Sequence, residues 1–217
     1  MIELCHRYIR ATRGFTLIEL MVSVGIMIVI LTITLSGRPE AITRLSLADS
    51  ISSTELLLRQ VQLQGSSVNS INGSFGGAGV FFTRSTSSQV LSFKDRIDDS
   101  VPSVLGVGDG LYTASPIDEK YEVITFSRTN KIGKLCVSMS TSTLLCNSEN
   151  DPAIQSLTIS YSRPSTQADI YINNSTSTKY VSACIQFDAN KSPTPGYVRS
   201  IVVYRSGMIT KLMGTCN

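Results

Sequence analysis

The chain has 217 residues, 42% of them hydrophobic and 16% charged, with a formal net charge of +3. That balance excludes wholesale disorder, and the length leaves room for one domain plus an anchor. Arg7, Arg10 and Arg13 against Glu3 place +2 of the charge before residue 14, so the remainder is nearly neutral and exerts no broad electrostatic pull on nucleic acid.

Residues 1–14 form a basic, polar leader that ends in Gly14. An apolar run follows from Phe15 to Leu35, about 31 Å as a helix and enough to cross a bilayer. The small residue precedes the apolar run, whereas a secretory signal carries its cleavage site after it. The arginines predict a cytoplasmic N-terminus. Glu19 stands fifth in the run, and a carboxylate in such a helix is costly to bury, which marks it as functional. The competing reading is an acid that snorkels to the interface of a plain anchor.

Ser36-Gly37-Arg38-Pro39 interrupts the apolar pattern, and Pro39 predicts a kink or a locally melted turn. A second helix is predicted over about Glu40 to Gln64. Leu47, Ile51, Leu58 and Val61 share a stripe with Thr54, while Ser46, Asp49, Ser50 and Ser53 fall largely off it. Gly65 is the predicted stop. The expected division is a leader at 1–14, a transmembrane and assembly helix at 15–35, an amphipathic spine at 36–64 and a β-rich head at 65–217.

From Gly73 onward the pattern changes to strands: Gly79–Thr83, Val90–Phe93, Tyr121–Ser127, Ile132–Ser138, Leu157–Tyr161, Tyr180–Phe187, Tyr197–Tyr204 and Met208–Leu212. Arg205-Ser206-Gly207 predicts a tight hairpin between the last two. Ser85–Ser88, Ser140–Thr143 and Asn173–Thr178 are predicted as exposed loops. The implied fold class is α+β, a long N-terminal helix packed on an antiparallel head.

Cys5 lies in the leader, and Cys136, Cys146, Cys184 and Cys216 lie beyond the apolar run, an even number in an export context. Four cysteines permit three connectivities. Strand geometry favours Cys136–Cys146 across a hairpin turning near Ser140–Ser142, and Cys184–Cys216 would then pin the C-terminus. A four-cysteine zinc site is the rival, without the C-x-x-C spacing such sites use. The single histidine, His6, lies in the leader, so no His-rich site is expected and no cofactor is implied.

Arg13-Gly14-Phe15-Thr16-Leu17-Ile18-Glu19-Leu20 closely resembles the processing site of type IV prepilins and type II secretion pseudopilins. The resemblance implies a membrane prepilin peptidase that cuts after Gly14 and methylates Phe15. It makes Glu19 the assembly carboxylate, paired with the N-terminal amine of a neighbouring subunit. A buried carboxylate and ammonium reduce each other's desolvation cost only in register, so such a pair would set subunit stagger. Other pilin or pseudopilin subunits, the inner-membrane assembly platform and, before assembly, membrane lipid are the implied partners. Ser23 and Gly25 would permit close helix approach. Family members commonly carry proline where this chain has Ser36. The spine followed by Phe75-Gly76-Gly77-Ala78-Gly79-Val80-Phe81-Phe82 is similar to H-type minor pseudopilins and T-type minor pilins, which implies a head of two sheets.

Gly106-Val107-Gly108-Asp109-Gly110 lacks the Lys-Ser/Thr of a phosphate loop and is predicted as a turn. Asp95, Asp98, Asp99 and Asp109 could offer oxygens to calcium, but their spacing is not that of an EF-hand, and a solvated acidic loop is the plainer expectation. Arg199, Arg205 and Lys211, with Tyr197 and Tyr204 near in sequence, are candidate DNA contacts, against the reading of solvated strand positions. No catalytic constellation is present, so the expected role is structural. Two alternatives stay open: a ligand-binding minor pilin for DNA uptake or adhesion, and a non-polymerising signal-anchored surface protein.

Overall fold

The computed structural model describes residues 14–36, 38–67, 75–96, 109–114, 119–127, 130–140, 143–146, 154–163, 165–175, 180–189 and 196–216. They fall into two compact units divided between Ala41 and Ile42. The first holds helix α1 (Leu17–Ser36), and helix α2 (Arg38–Ser66) begins two residues after α1 ends. Pro39 therefore falls in the first turn of α2, where its missing N–H has no helical partner to lose.

In the second unit, α2 buries Leu47, Ile51, Leu57, Leu58 and Val61. Thr54 is buried with them because its Oγ1 donates to the Ser50 carbonyl at 2.8 Å. Ser50, expected off the stripe, is buried as well. Its hydroxyl and that of Ser46 each accept from Asn130 Nδ2 at 2.9 Å, so a polar pair replaces an apolar contact. Gly65 does not stop the helix, which runs on to Ser66. It is buried against β-strand backbone instead. A Cβ there would overlap the Tyr161 carbonyl oxygen and come within 2.8 Å of Tyr161 Cβ.

Ten strands follow: β1 (Phe75–Thr83), β2 (Gln89–Arg96), β3 (Lys120–Thr125), β4 (Asn130–Ser140), β5 (Thr143–Cys146), β6 (Ser156–Ser162), β7 (Ala168–Ile172), β8 (Ser182–Ala189), β9 (Val198–Tyr204) and β10 (Ile209–Leu212). They build two five-stranded sheets, ordered β3-β2-β1-β6-β7 and β10-β9-β8-β4-β5, with every named pair antiparallel. The α+β class with two sheets is as expected. One strand was not, β7; β5 is the second arm of the hairpin expected to set Cys136 opposite Cys146, and it takes Thr143 out of the predicted Ser140–Thr143 loop. Residues 141–142 of that loop and 176–178 of the Asn173–Thr178 loop lie outside the described residues.

Alternation along the strands divides each sheet into two faces. Val80, Phe82, Leu157, Ile159 and Ile170 from the first sheet join Leu135, Val137, Ile185, Phe187, Ile201 and Val203 from the second in one core with α2. Phe126 meets Phe187 edge-on at 5.4 Å between centroids, joining the two layers. The β9–β10 hairpin has a three-residue loop, in which the Tyr204 N–H donates to the Met208 carbonyl, the Gly207 N–H donates to the Tyr204 carbonyl, and Gly207 lies in the left-handed region at φ 87°. That is a turn closed by a glycine bulge, a position that strains any residue with a Cβ.

Candidate functional site: the N-terminal helix

From Leu17 to Thr34 α1 is apolar around its whole circumference and exposed at every residue. Among the described residues it is the one helix long and apolar enough to cross a membrane. Its polar side chains are satisfied within the helix. Ser23 Oγ donates to the Leu20 carbonyl at 2.9 Å, Thr32 Oγ1 to Val29 at 2.8 Å, and Thr34 Oγ1 to Ile30 at 3.0 Å. Hydroxyls bonded back to the preceding turn can enter hydrocarbon without an unmet donor.

Glu19 is built into the start of this helix. Its Oε2 accepts from the Thr16 N–H at 3.0 Å and from Thr16 Oγ1 at 2.9 Å, and the Glu19 N–H donates to Thr16 Oγ1 at 3.3 Å. This reciprocal capping box satisfies two N-terminal donors and places negative charge at the positive end of the helix dipole. Oε1 accepts no hydrogen bond among the described residues, so one carboxylate oxygen remains available. Thr16 was not singled out as a site residue in the sequence, although Thr-x-x-Glu before an apolar run is the capping signal. An open groove runs from Phe15 along Ile18, Glu19, Val22, Ser23 and Ile26, apolar apart from the carboxylate and one hydroxyl.

Among the described residues, nothing crowds two glycines in this region. A Cβ added at Gly14 or Gly25 meets nothing within 4 Å. Glycine inside a helix costs about 1 kcal/mol relative to alanine, so Gly25 is not explained by packing among the described residues.

The four cysteines form two disulfides, Cys136–Cys146 and Cys184–Cys216. The first bridges register partners on β4 and β5, and the second ties β8 to the C-terminal segment. The basic trio does not gather into one patch. Arg199 is the second residue of β9 and Arg205 follows its last, roughly 20 Å apart along an extended strand. Lys211 Nζ instead pairs with Glu55 Oε2 of α2 at 2.7 Å, and Tyr197 lies under the Arg44 guanidinium at 5.3 Å.

Asp95 is not part of a solvated loop. It lies in β2, only 2% exposed, where its Oδ2 accepts from the Gly110 N–H at 2.8 Å. Burial pushes its carboxyl up to about 7, against that hydrogen bond and with help from the charges of Glu119 and Asp109. Asp109 is exposed, its Oδ1 accepting from the Leu111 N–H of its own segment at 2.8 Å. Asp98, Asp99 and residues 106–108 lie outside the described residues. Among the described residues no group of three or more carboxylates, cysteines or histidines is arranged to hold a metal.

Residues 9–35 match the family described as the prokaryotic N-terminal methylation motif. No curated protein and no solved structure matches the chain. The motif ends where the apolar run ends, and it contains the capping box, Gly14 and Phe15. The match supports a likeness to type IV pilins and pseudopilins, carried by the N-terminal segment. The same motif implies processing by prepilin peptidase and assembly with other pilin subunits, and with α1 it fits a single-pass, membrane-anchored protein.

Proposed function

We propose that the chain is a minor pilin or pseudopilin, a structural subunit of a type IV pilus or a type II secretion pseudopilus. It is made as a cytoplasmic-membrane precursor with its N-terminus in the cytoplasm and its head outside. Prepilin peptidase cleaves between Gly14 and Phe15 and methylates Phe15, and the inner-membrane assembly platform then draws α1 from lipid into a filament.

The observation that carries this reading is that α1 holds features its own chain does not use. Its apolar surface is wholly exposed, Gly25 leaves an unfilled place on it, and Glu19 keeps one oxygen uncommitted. Packing against equivalent helices uses all three. It buries the apolar surface, lets a neighbour approach at Gly25, and brings a subunit's Phe15 ammonium to Glu19 Oε1. The capping box then keeps the other oxygen fixed, so the pair forms in one register. A helix followed by a two-sheet head ending in a hairpin supports the H-type pseudopilin or T-type minor pilin group.

The test is the mature N-terminus, read by intact mass and N-terminal fragmentation after co-expression with a prepilin peptidase. N-methyl-Phe15 is the expected first residue. A chain that keeps Met1 beside a processed control substrate would make it a non-polymerising surface anchor. Glu19→Ala, expressed with wild-type partners, should be processed yet fail to enter filaments. Normal incorporation would remove Glu19 from assembly.

A further inference from the structure

Three of the four half-cystines stand in one row across the second sheet. Cys136 in β4 is the register partner of Cys146 in β5 on one side and of Cys184 in β8 on the other. Register partners on adjacent strands project from the same face. The Cys136 sulfur therefore lies between two others, and Cys216 joins the far one. Cys136, Cys184 and Cys216 are buried together with Val202, with Leu144, Cys146 and Tyr204 packed against them.

The Cys136 and Cys146 Cα atoms are 4.0 Å apart, the close spacing of a pair without mutual backbone hydrogen bonds. The backbone of Cys136 then points toward β8, which makes Cys136–Cys184 the hydrogen-bonded kind of pair, with Cα atoms about 5.5 Å apart. That spacing also lies within the range a disulfide spans. Either neighbour can bond Cys136.

We propose that Cys136 is the exchange point of a redox-sensitive switch, bonded to Cys146 in the oxidised protein and transferred to Cys184 when one disulfide equivalent is reduced. Cys146 is the most exposed of the four sulfurs' residues and the point of entry. A thiolate of an external dithiol attacks Cys146 Sγ. The Cys136–Cys146 bond breaks, and its electron pair leaves on Cys136 Sγ. That thiolate attacks Cys184 Sγ, forming Cys136–Cys184 and expelling Cys216 as a thiolate, which takes a proton from water. The second thiol of the reductant resolves the mixed disulfide at Cys146. One dithiol is oxidised, two protein disulfides become one, and Cys146 and Cys216 end as free thiols.

The exchange releases the two peripheral pieces of this sheet and links its inner strands. The edge strand β5, paired to β4 alone, loses its covalent tie. The C-terminal segment keeps the bond from Ser200 Oγ to the Gly214 carbonyl at 2.6 Å and a long one from the Cys216 N–H to Gln186 Oε1 at 3.4 Å. A single two-electron event thus loosens an edge and a terminus together.

The experiment uses the full chain. Cys146→Ser, purified under oxidising conditions and acid-quenched, is mapped by peptide mass spectrometry. Cys136–Cys184 with a free Cys216 should dominate. A chain that keeps Cys184–Cys216 beside a free Cys136 would overturn the proposal. If that variant does not fold, wild-type protein is treated with limiting dithiothreitol and alkylated. One-disulfide molecules should carry labels on Cys146 and Cys216. Labels on a native pair, either Cys136 with Cys146 or Cys184 with Cys216, would overturn it equally.

Discussion

Helix α1 and the β head solve the burial of apolar side chains in opposite ways. In the head, Val80, Phe82, Leu135, Ile159 and Ile185 are fully buried among one another and against α2. In α1, Leu17 through Ile33 present the same kinds of side chain outward, with Phe15 84% exposed just before it. Dehydration drives folding in both, but only the head completes it within the chain. The helix must complete it elsewhere, in lipid or among other helices. An exposed apolar surface of this extent is an interaction surface rather than an oversight of packing.

The largest effect should separate the two regions outright. Phe82→Ala empties a site at 0% exposure in the core and should lower head stability by about 3–5 kcal/mol. Ile26→Ala in α1 removes a side chain of similar hydrophobicity that touches no core, and the head's thermal midpoint should stay within error. Both are read by denaturation in detergent, followed by near-ultraviolet circular dichroism of the tyrosines. A loss in the second variant comparable to the first would mean that α1 contributes to the head's fold.

The next effect runs through Asp95. Its folded value, about 7, is above its ordinary value near 3.8, so the folded protein holds a proton that the unfolded chain has released. Stability from that proton is complete below about pH 4 and is lost as pH rises through about 7. The head should be more stable at pH 5 than at pH 8, by about 2–4 kcal/mol at 1.4 kcal/mol per unit. Asp95→Asn should flatten the slope while keeping an acceptor for the Gly110 N–H. An unchanged slope in that variant would assign the dependence to other groups.

These two sites also show where the sequence was legible. The apolar run, Gly14 and Glu19 could be read because a membrane-length pattern is local and nothing distant modifies it. Eight of the ten strands were placed, with shifted ends, because β-branched and aromatic runs are local too, and β5 was implied as the second arm of the cysteine hairpin. What failed depended on partners far along the chain. Ser50 is buried because Asn130 reaches it, and Asp95 because Gly110 and Glu119 close over β2. β7 does alternate Ala168, Ile170 and Ile172, but only five residues long among polar neighbours. The cysteine row could not be seen until β4 was set between β5 and β8.

Gly65 sharpens the point at a smaller scale. Read locally it is a helix stop, and in the fold it is the place where α2 touches the β6 backbone. Gly65→Ala should cost about 1–3 kcal/mol, because the new methyl meets a carbonyl and a Cβ rather than the flexible end of a side chain. Gly25→Ala offers the contrast within α1. It should leave the head unchanged, or stiffen α1 slightly, and reduce entry into filaments where a neighbour approaches. Equal head destabilisation by the two would erase the distinction between packing inside the chain and packing between chains.

The smallest effect tests the seam between α2 and β10. Lys211 Nζ lies 2.7 Å from Glu55 Oε2, and Arg59 shares the same carboxylate at 2.8 Å. The Lys211 side chain is half exposed, so its removal should cost less than about 1 kcal/mol, and less still in high salt. The pH dependence runs opposite to that of Asp95. Lys211 and then Arg59 hold the Glu55 carboxyl below its ordinary value of 4.5, so its contribution is present above that value and is lost as pH falls through the lower folded one. Lys211→Ala should therefore trim the acid-side loss and leave the slope between pH 5 and pH 8 intact. Urea titrations of the wild type, Lys211→Ala and Asp95→Asn across pH 3–8 separate the two carboxylates. A loss above 2 kcal/mol from Lys211→Ala would mean that the edge strand depends on that ion pair for its place, and the head would then be closed by charge at β10 as much as by its apolar core.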